Sequence, residues 1–130
     1  MYCAGCLLYY NNKLLMVKDV KGYLSPPKGK IEKNEDYLKA AKRELKEETG
    51  ITDDEYILSD KYVIEYSKKN IPSTILYIGK LLVDRPFSSE DPDNDIVSVD
   101  LLSLSFIKDK VLEKRWIAIS ESYTIYKSRL

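Results

Sequence analysis

The sequence contains no histidine and only two cysteines among its 130 residues. Without histidine, Ser-His-Asp triads, Cys-His pairs and histidine-based zinc sites are excluded. Any general base must then be a carboxylate, a lysine, a tyrosine or a hydroxide bound to a metal ion. These absences favour chemistry carried by acidic side chains.

The two cysteines, Cys3 and Cys6, stand in the order C-A-G-C. That spacing occurs in redox pairs and in half of a zinc site. However, residues 2–10 are expected to form a strand, in which an offset of three places the two sulfurs on opposite faces. There is no second cysteine pair to complete a tetrahedral zinc site. We expect two reduced core cysteines in a cytosolic protein.

Long apolar runs and an excess of charge of one sign are also lacking. No segment approaches the roughly 18 apolar residues of a membrane span, and the apolar start has no secretory-signal features. Lysine plus arginine equals aspartate plus glutamate at 21 each, so no global field favours nucleic acid. We expect one soluble, cytoplasmic domain over residues 1–130 with no membrane partner. The oligomeric state has no signal in the sequence.

The most informative segment runs from residue 29 to residue 51, GKIEKNEDYLKAAKRELKEETGI. It fits the pattern G-x5-E-x7-R-E-U-x-E-E-x-G-U, where U is a bulky apolar residue. The fixed positions are Gly29, Glu35, Arg43, Glu44, Leu45, Glu47, Glu48, Gly50 and Ile51. A helix is predicted here, because Asn34 or Asp36 can cap its start and Gly50 can end it.

Three glutamates of this segment, Glu44, Glu47 and Glu48, share one face of the predicted helix. Carboxylates this close repel one another unless a cation lies among them. Their oxygen atoms suit Mg²⁺ or Mn²⁺. The alternative is a solvated acidic face whose glutamates pair with neighbouring lysines and arginine. The fixed glycines and the glutamate at position 35 favour the metal site.

The same helix carries a narrow apolar stripe. Leu38, Ala41 and Leu45 repeat at helical spacing, so we expect them to pack on the core. Ala40 lies one turn before Glu44 and is expected to leave open space in front of the carboxylates.

The pattern is that of the Nudix box with no position missing, so the chain resembles Nudix hydrolases. The resemblance implies an enzyme that uses a divalent metal to split a diphosphate attached to another group. The implied ligands of Mg²⁺ or Mn²⁺ are the Gly29 carbonyl, Glu44, Glu47 and Glu48. The metal activates a water, and Glu47 and Glu44 are the candidates for the base that accepts its proton.

Other residues are expected to support this site. Arg43 is expected to orient the glutamates through a bidentate pair, with Glu35 as a candidate partner. Lys28 and Lys30 flank Gly29 and either touch substrate phosphates or serve solubility. The segment DIVSVDLLSL resembles the family's E-I-x-x-V-x-W segment, which makes Asp95 a candidate for a further catalytic or metal-binding residue. The loop acids Glu90, Asp91 and Asp93 are expected to be solvated.

The resemblance also implies an α/β/α sandwich, with a mixed sheet held between helices. Apolar patterning predicts strands over residues 2–10, 13–20, 55–66, 73–84 and 95–101. Asn11-Asn12 suits a tight hairpin turn. Residues 21–30 and 85–95 are expected to be loops. The strand over residues 73–84 is expected to lie centrally in the sheet. A closing helix from about residue 104 is predicted by apolar residues that repeat at helical spacing, and we expect them to pack on the sheet. They are Leu112, Trp116, Ile119, Tyr123 and Tyr126.

The substrate is suggested by the residues around the start of the box, PPKGKIEKNE. They resemble diadenosine tetraphosphate hydrolases, diphosphoinositol polyphosphate phosphohydrolases and mRNA-decapping enzymes. Decapping is disfavoured, because the sequence shows neither a surplus of basic residues for the RNA backbone nor the separate helical domain of decapping enzymes. A diphosphoinositol is disfavoured because its many phosphates need a pocket with more basic residues than this sequence offers. A dinucleoside polyphosphate needs few phosphate contacts and aromatic platforms for its bases, for which the candidates are Tyr23, Tyr62, Tyr66 and Tyr77.

We therefore expect a nucleotide substrate, most simply a dinucleoside polyphosphate. Hydrolysis of an RNA cap is the second expectation, and hydrolysis of a diphosphoinositol polyphosphate remains open. A domain of this kind that binds a nucleotide without catalysis is the alternative of a different class.

Overall fold

A mixed sheet forms the centre of the computed structural model, which describes residues 1–90 and 95–129. Its strands are β1 (Cys3–Tyr10), β2 (Lys13–Asp19), β3 (Leu24–Ser25), β4 (Lys28–Lys30), β5 (Tyr56–Tyr66), β6 (Pro72–Leu81) and β7 (Ile96–Ser103). The α-helices are α1 (Tyr37–Thr49), α2 (Leu104–Lys108) and α3 (Glu113–Arg129). A short 3₁₀ turn, Asp53–Glu55, precedes β5.

The strands follow the order β3-β2-β1-β6-β5, with β4 paired to β1 and β7 paired to β2. The β1–β6 pairing is parallel and the other pairings are antiparallel. The later apolar strand, β6, lies between β1 and β5, as its composition predicted. Asn11 and Asn12 have φ angles of 49° and 63°, which a type I′ hairpin turn requires.

Side chains of β1 alternate between two apolar layers, one on each face of the sheet. The layer under α1 includes Cys6, Leu8, Leu15, Ala41 and Leu45. The layer under α2 and α3 includes Leu7, Tyr9, Met16, Ile107 and Ile119. Helices therefore cover both faces, and the predicted α/β/α sandwich is confirmed.

The two cysteines behave as free thiols on different faces of β1. Cys6 is fully buried under α1, whereas Cys3 is only partly buried. The prediction of opposite faces is confirmed, while only Cys6 is a full core residue.

The helix α1 begins and ends at two of the residues predicted as caps. Asp36 Oδ1 accepts a hydrogen bond from the Lys39 N–H over 2.7 Å, and Gly50 has a φ of 73° beyond the last turn. Such positive angles suit glycine, because a side chain is strained there.

Two predictions about α1 are wrong. Leu38 is 41% exposed, although helical geometry places it on the same side as Leu45, because the first turn of α1 is not covered: Tyr37 is 42% exposed as well. Ala40 is fully buried in the layer under α1 and so leaves no open space. Its small side chain instead lets the helix approach the strands closely.

The segment predicted as a loop over residues 21–30 contains β3 and β4. Neither has an alternating apolar pattern, and both exist because they pair with longer strands, β3 with β2 and β4 with β1. Pairing partners of this kind cannot be recognised from a charged tripeptide such as Lys28–Lys30.

The predicted closing helix is interrupted. It forms α2 and α3, and Leu112 lies in the link between them at 70% exposure, so it does not belong to the buried stripe. The Lys110 N–H donates to the Ile107 carbonyl over 2.8 Å, which closes a turn after α2. No glycine or proline marks this stop in the sequence. Among the described residues, no helix has the length and apolar character to cross a membrane.

Candidate active site

Arg43 joins the acidic residues of α1 to the segment before it. Its Nε and Nη2 donate to the two oxygens of Glu35 over 2.8 and 2.9 Å. Its Nη1 donates to Glu44 Oε1 over 2.9 Å and to Glu47 Oε2 over 3.2 Å. Nη2 also donates to the Lys30 carbonyl over 2.9 Å, so the guanidinium ties α1 to β4. The expected bidentate contact with Glu35 is present.

Gly29 lies with its backbone against the Glu44 carboxylate. A Cβ atom at position 29 would overlap the carboxylate carbon and both oxygens of Glu44. Only glycine permits this approach, because every other residue carries that atom. The first residue of the pattern and the helix are therefore in direct contact.

Burial changes the pKa of two of the glutamates. Burial raises the pKa of Glu48 to about 7, although its Oε1 accepts the Lys28 N–H over 3.1 Å. Burial also raises the pKa of Glu44, and the hydrogen bonds from Arg43 oppose that rise. Both carboxylates are thus largely removed from water, which favours a cation beside them.

Glu35 is the opposite case. Hydrogen bonds from Arg43, and then the Glu32 N–H, lower the pKa of Glu35 to about 2. The hydrogen bonds to Glu35, and then to Glu44, raise the pKa of Arg43 above its ordinary value. The pair therefore stays charged over the whole physiological range and acts as a fixed anchor.

The oxygen atoms of the Gly29 carbonyl, Glu44, Glu47 and Glu48 suit Mg²⁺ or Mn²⁺ in their chemistry, although the side chains are not arranged around an ion position. Within residues 1–90 and 95–129, no three acidic side chains already enclose a position for an ion. The reason is that Arg43 Nη1 lies between Glu44 and Glu47, while Glu48 turns to the Lys28 N–H. The Glu47 side chain is 38% exposed. The metal roles of these residues stay predictions.

The two lysines beside Gly29 occupy different surroundings. A Cβ at Gly5 would meet the Lys28 Cβ, so the Lys28 side chain lies on the α3 face of the sheet. It lines a cleft of about 330 Å³, here named the α3 cleft, whose walls include Tyr23, Leu24, Lys28, Lys110, Leu112 and Arg115. Lys30 is exposed, with Nζ 5.5 Å from the centre of the Tyr2 ring.

The tyrosines that are candidates for stacking on a nucleotide base also lie in different surroundings. Tyr23 lines the α3 cleft and is 67% exposed. Tyr62 and Tyr77 contact each other edge to face across β5 and β6, with ring centres 6.0 Å apart. Tyr66 lines grooves beside α3. Tyr23 is therefore the platform candidate that lines the same cleft as Lys28.

Asp95 is exposed immediately before β7, and its carbonyl accepts the Val20 N–H over 2.9 Å. Within the described part of the chain, no hydrogen bond or ion pair connects its carboxylate to α1. Its supporting role stays a prediction. Asp91 and Asp93 lie outside the described residues.

Glu90, predicted to be a solvated turn residue, is exposed in a bend, and its backbone lies against the end of α1. Its N–H donates to the Glu47 carbonyl over 2.9 Å, and the Ser89 hydroxyl donates to the same carbonyl over 3.2 Å. These contacts satisfy a carbonyl that the helix end leaves without a helical partner. No periodicity in the loop could have indicated them.

Comparison with known proteins agrees with this architecture. A family model described as "NUDIX domain" matches residues 1–119. The chain is 36% identical over 77 residues to an RNA pyrophosphohydrolase of Pelagibacter ubique (strain HTCC1062), which is 57% of this chain and 49% of that protein. The chain thus spans about half the length of this curated relative.

Solved structures share the fold at low sequence identity. A C. elegans Ap4A hydrolase in a binary complex has a TM-score of 0.83 at 19% identity, covering 97% of this chain and 98% of that one. A Nudix hydrolase from M. smegmatis has a TM-score of 0.79 at 11% identity, covering 99% and 87%. The fold and the box together define a Nudix domain. The chain belongs to the NUDIX domain family, as its box indicated.

Proposed function

We propose that this protein is a pyrophosphohydrolase that requires Mg²⁺ or Mn²⁺ and cuts a diphosphate linkage in a nucleotide, with residues 1–130 acting as one domain. The observation that carries the proposal is the position of Arg43, which contacts Glu35, Glu44 and Glu47 beside Gly29. The relatives' names, which include hydrolases of diphosphate bonds, support the same activity.

Each residue has a separate task in this proposal. Glu44, Glu47, Glu48 and the Gly29 carbonyl would hold the ion. When bound, the ion supplies positive charge against the diphosphate oxygens and activates a water. Arg43 keeps two of the carboxylates oriented while Glu35 keeps the guanidinium oriented.

The reaction adds water across one P–O–P bridge. The water oxygen bonds to phosphorus, the bridging oxygen leaves with the other phosphate, and a glutamate takes the proton of the water. Glu47 and Glu44 are the candidates for this base. Their side chains are 38% and 13% exposed, so Glu47 has the better access to solvent water.

A dinucleoside polyphosphate is the substrate that we favour. The α3 cleft is lined by one exposed aromatic residue, Tyr23, and by Lys28, whose main-chain N–H contacts Glu48. A cleft of about 330 Å³ lies at the small end of the range for ligand sites and suits one nucleoside. Stacking of a base on an aromatic ring contributes about 1–3 kcal/mol.

A phosphorylated or capped RNA end is the second candidate. The observation that favours it is the match to an RNA pyrophosphohydrolase at 36% identity over 77 residues. The 5′ end of an RNA presents the same combination of a nucleoside and a short phosphate chain. The cytoplasm is the location that we propose with either substrate.

Product analysis tests the proposal. Purified protein is incubated with Mg²⁺ or Mn²⁺ and diadenosine tetraphosphate, 5′-triphosphate RNA, capped RNA or a diphosphoinositol phosphate, with Glu48→Gln protein as the control. We expect ATP and AMP from the first substrate, and little product from the control. Release of pyrophosphate or m7GDP from RNA, or of phosphate from the inositol, would move the assignment to that class. Tight nucleotide binding without turnover of any substrate would identify a binding module instead.

A further inference from the structure

Glu65 and Arg115 form a largely buried ion pair on the α3 face of the sheet, with side chains 11% and 21% exposed. Arg115 Nε donates to Glu65 Oε1 over 2.9 Å, and Nη2 donates to Oε2 over 3.2 Å. The remaining nitrogen, Nη1, donates to the Leu24 carbonyl over 2.9 Å. One arginine thus joins β5, α3 and the start of the segment that leads to the box.

Among the described residues, Glu65 is the one charged residue that is buried, at 8% exposure. A buried ion pair adds little to stability, because desolvation offsets most of the attraction. Another polar contact already joins α3 to the sheet, since the Tyr9 hydroxyl and the Ser122 hydroxyl lie 2.7 Å apart. Attachment of α3 therefore does not explain the pair.

The segment held by Arg115 is stiff and ends at the site. Pro26 and Pro27 restrict the backbone between Leu24 and Lys28, because proline fixes φ. The Pro27 carbonyl accepts the Cys6 N–H over 3.0 Å, which anchors the middle of the segment to β1. At the far end, the Lys28 N–H contacts Glu48 while the Lys28 side chain lines the α3 cleft. A shift at Leu24 is thus transmitted toward the lysine.

We propose that Glu65 and Arg115 are positioning residues for the substrate: by holding the Leu24 carbonyl they keep the 24–28 segment against α3 and present the Lys28 ammonium to a substrate phosphate in the α3 cleft. This rests on the proposed function. Arg115 itself lines the cleft, so the pair sets the distance between its two walls. The glutamates on α1 lie on the other side of β4, so we expect loss of the pair to affect the substrate contact more than the glutamates.

Arg115→Met tests the proposal, because methionine fills similar space without the three hydrogen bonds. Affinity for diadenosine tetraphosphate is measured as KM and, independently of turnover, as Kd for Glu48→Gln protein with and without the Arg115 change. We expect both constants to rise about tenfold, corresponding to the loss of one phosphate contact. We expect kcat to change by less than about twofold, and Mn²⁺ affinity to stay the same.

Arg85→Met is the matched control. Arg85 forms a similar two-point pair with Glu55, with 2.7 Å between Nη2 and Oε1, but it lies outside the α3 cleft. Its loss should leave KM and Kd unchanged. Arg115→Lys and Glu65→Gln keep part of the hydrogen bonding and should give smaller rises, and they decide the question if Arg115→Met does not fold.

An unchanged Kd in a folded Arg115 variant would overturn the proposal. So would an equal loss of kcat, nucleotide affinity and Mn²⁺ affinity, since that pattern reports general damage. Failure of the proposed function looks different: wild-type protein would then give no Glu48-dependent product, while the Kd comparison would still report on Arg115.

Discussion

The main-chain N–H of Lys28 donates a hydrogen bond to Glu48 Oε1 over 3.1 Å. The next residue, Gly29, lies against the carboxylate of Glu44. The strand β4 therefore contacts two of the three α1 glutamates through its backbone alone. Substitutions in β4 are expected to act on the glutamates even where they add or remove no charge.

Gly29→Ala should inactivate the protein with little unfolding. The new Cβ would displace the Glu44 carboxylate, and a misplacement of about 1 Å at a reacting group can lower kcat about a hundredfold. Steady-state kinetics measure the effect, and circular dichroism follows the fold.

Gly79→Ala is the control for this change. A Cβ there would meet the Ile57 carbonyl on β5, a comparable overlap within the sheet but away from the box. It should lower thermal stability while the folded fraction keeps its kcat. If Gly29→Ala instead loses only stability, the glycine has no special relation to the glutamates.

Glu48→Gln should stabilise the protein in EDTA at alkaline pH. Burial holds the pKa of Glu48 at about 7 in the folded state, above the ordinary value of a glutamate. The proton is therefore bound more tightly when the chain is folded, and the stability this contributes is full at acidic pH and lost as pH rises through about 7. On this basis ionised Glu48 costs roughly 1–3 kcal/mol at alkaline pH, which glutamine avoids.

Thermal melts of wild-type and Glu48→Gln protein at about pH 5 and about pH 8 provide the measurement. The two proteins should differ more at the higher pH. A difference that is the same at both values would mean that Glu48 titrates as an ordinary exposed glutamate.

Mn²⁺ affinity should increase with pH through the same range. The ion binds the ionised carboxylate, so below about pH 7 it must displace a proton from Glu48. Calorimetry in two buffers of different ionisation enthalpy should detect up to one released proton near neutral pH. Proton release that persists undiminished in Glu48→Gln protein would assign the titrating group elsewhere.

Glu35→Gln should flatten the acid side of the stability profile. The pKa of Glu35 is lowered to about 2, mainly by Arg43, so its stabilising charge is present above the ordinary glutamate pKa. That contribution disappears as pH falls toward about 2. The variant should also lower kcat, because Arg43 loses the partner that orients it, and Arg43→Lys should lower kcat without adding to the effect of Glu35→Gln.

An additive double mutant would contradict that prediction, since it would mean that Arg43 and Glu35 act independently. Glu32→Gln is a suitable control. The carboxylate of Glu32 is 66% exposed and lies 3.6 Å from Arg43, so its removal should change kcat little.

The local parts of the fold were predictable because local signals specify them. Asn11 and Asn12 suit a tight turn, and Asp36 and Gly50 are good helix caps, so the hairpin and α1 were located within a few residues. Fixed spacing likewise brought the box residues together. These predictions depend on neighbours in the chain and not on distant contacts.

Contacts between distant segments were not predictable. The strand β4 has no apolar pattern and forms only because β1 pairs with it. Glu65 and Arg115 are far apart in the sequence, and neither has a motif to connect them. The break before Leu112 has no glycine or proline to mark it. In each case the structure depends on a contact with a residue distant in the sequence, and local sequence patterns do not identify that residue.

The position of β1 has a consequence for the order of folding. Its parallel partner, β6, comes from the second half of the chain, and Cys3, Ala4 and Gly5 pair with β4 on the other side. Joining distant segments requires closure of a long loop and is slow compared with helix formation. In a refolding experiment, helical signal should therefore return before the glycine of β4 meets its glutamate. The rate at which enzymatic turnover recovers would then report the last stage of sheet assembly.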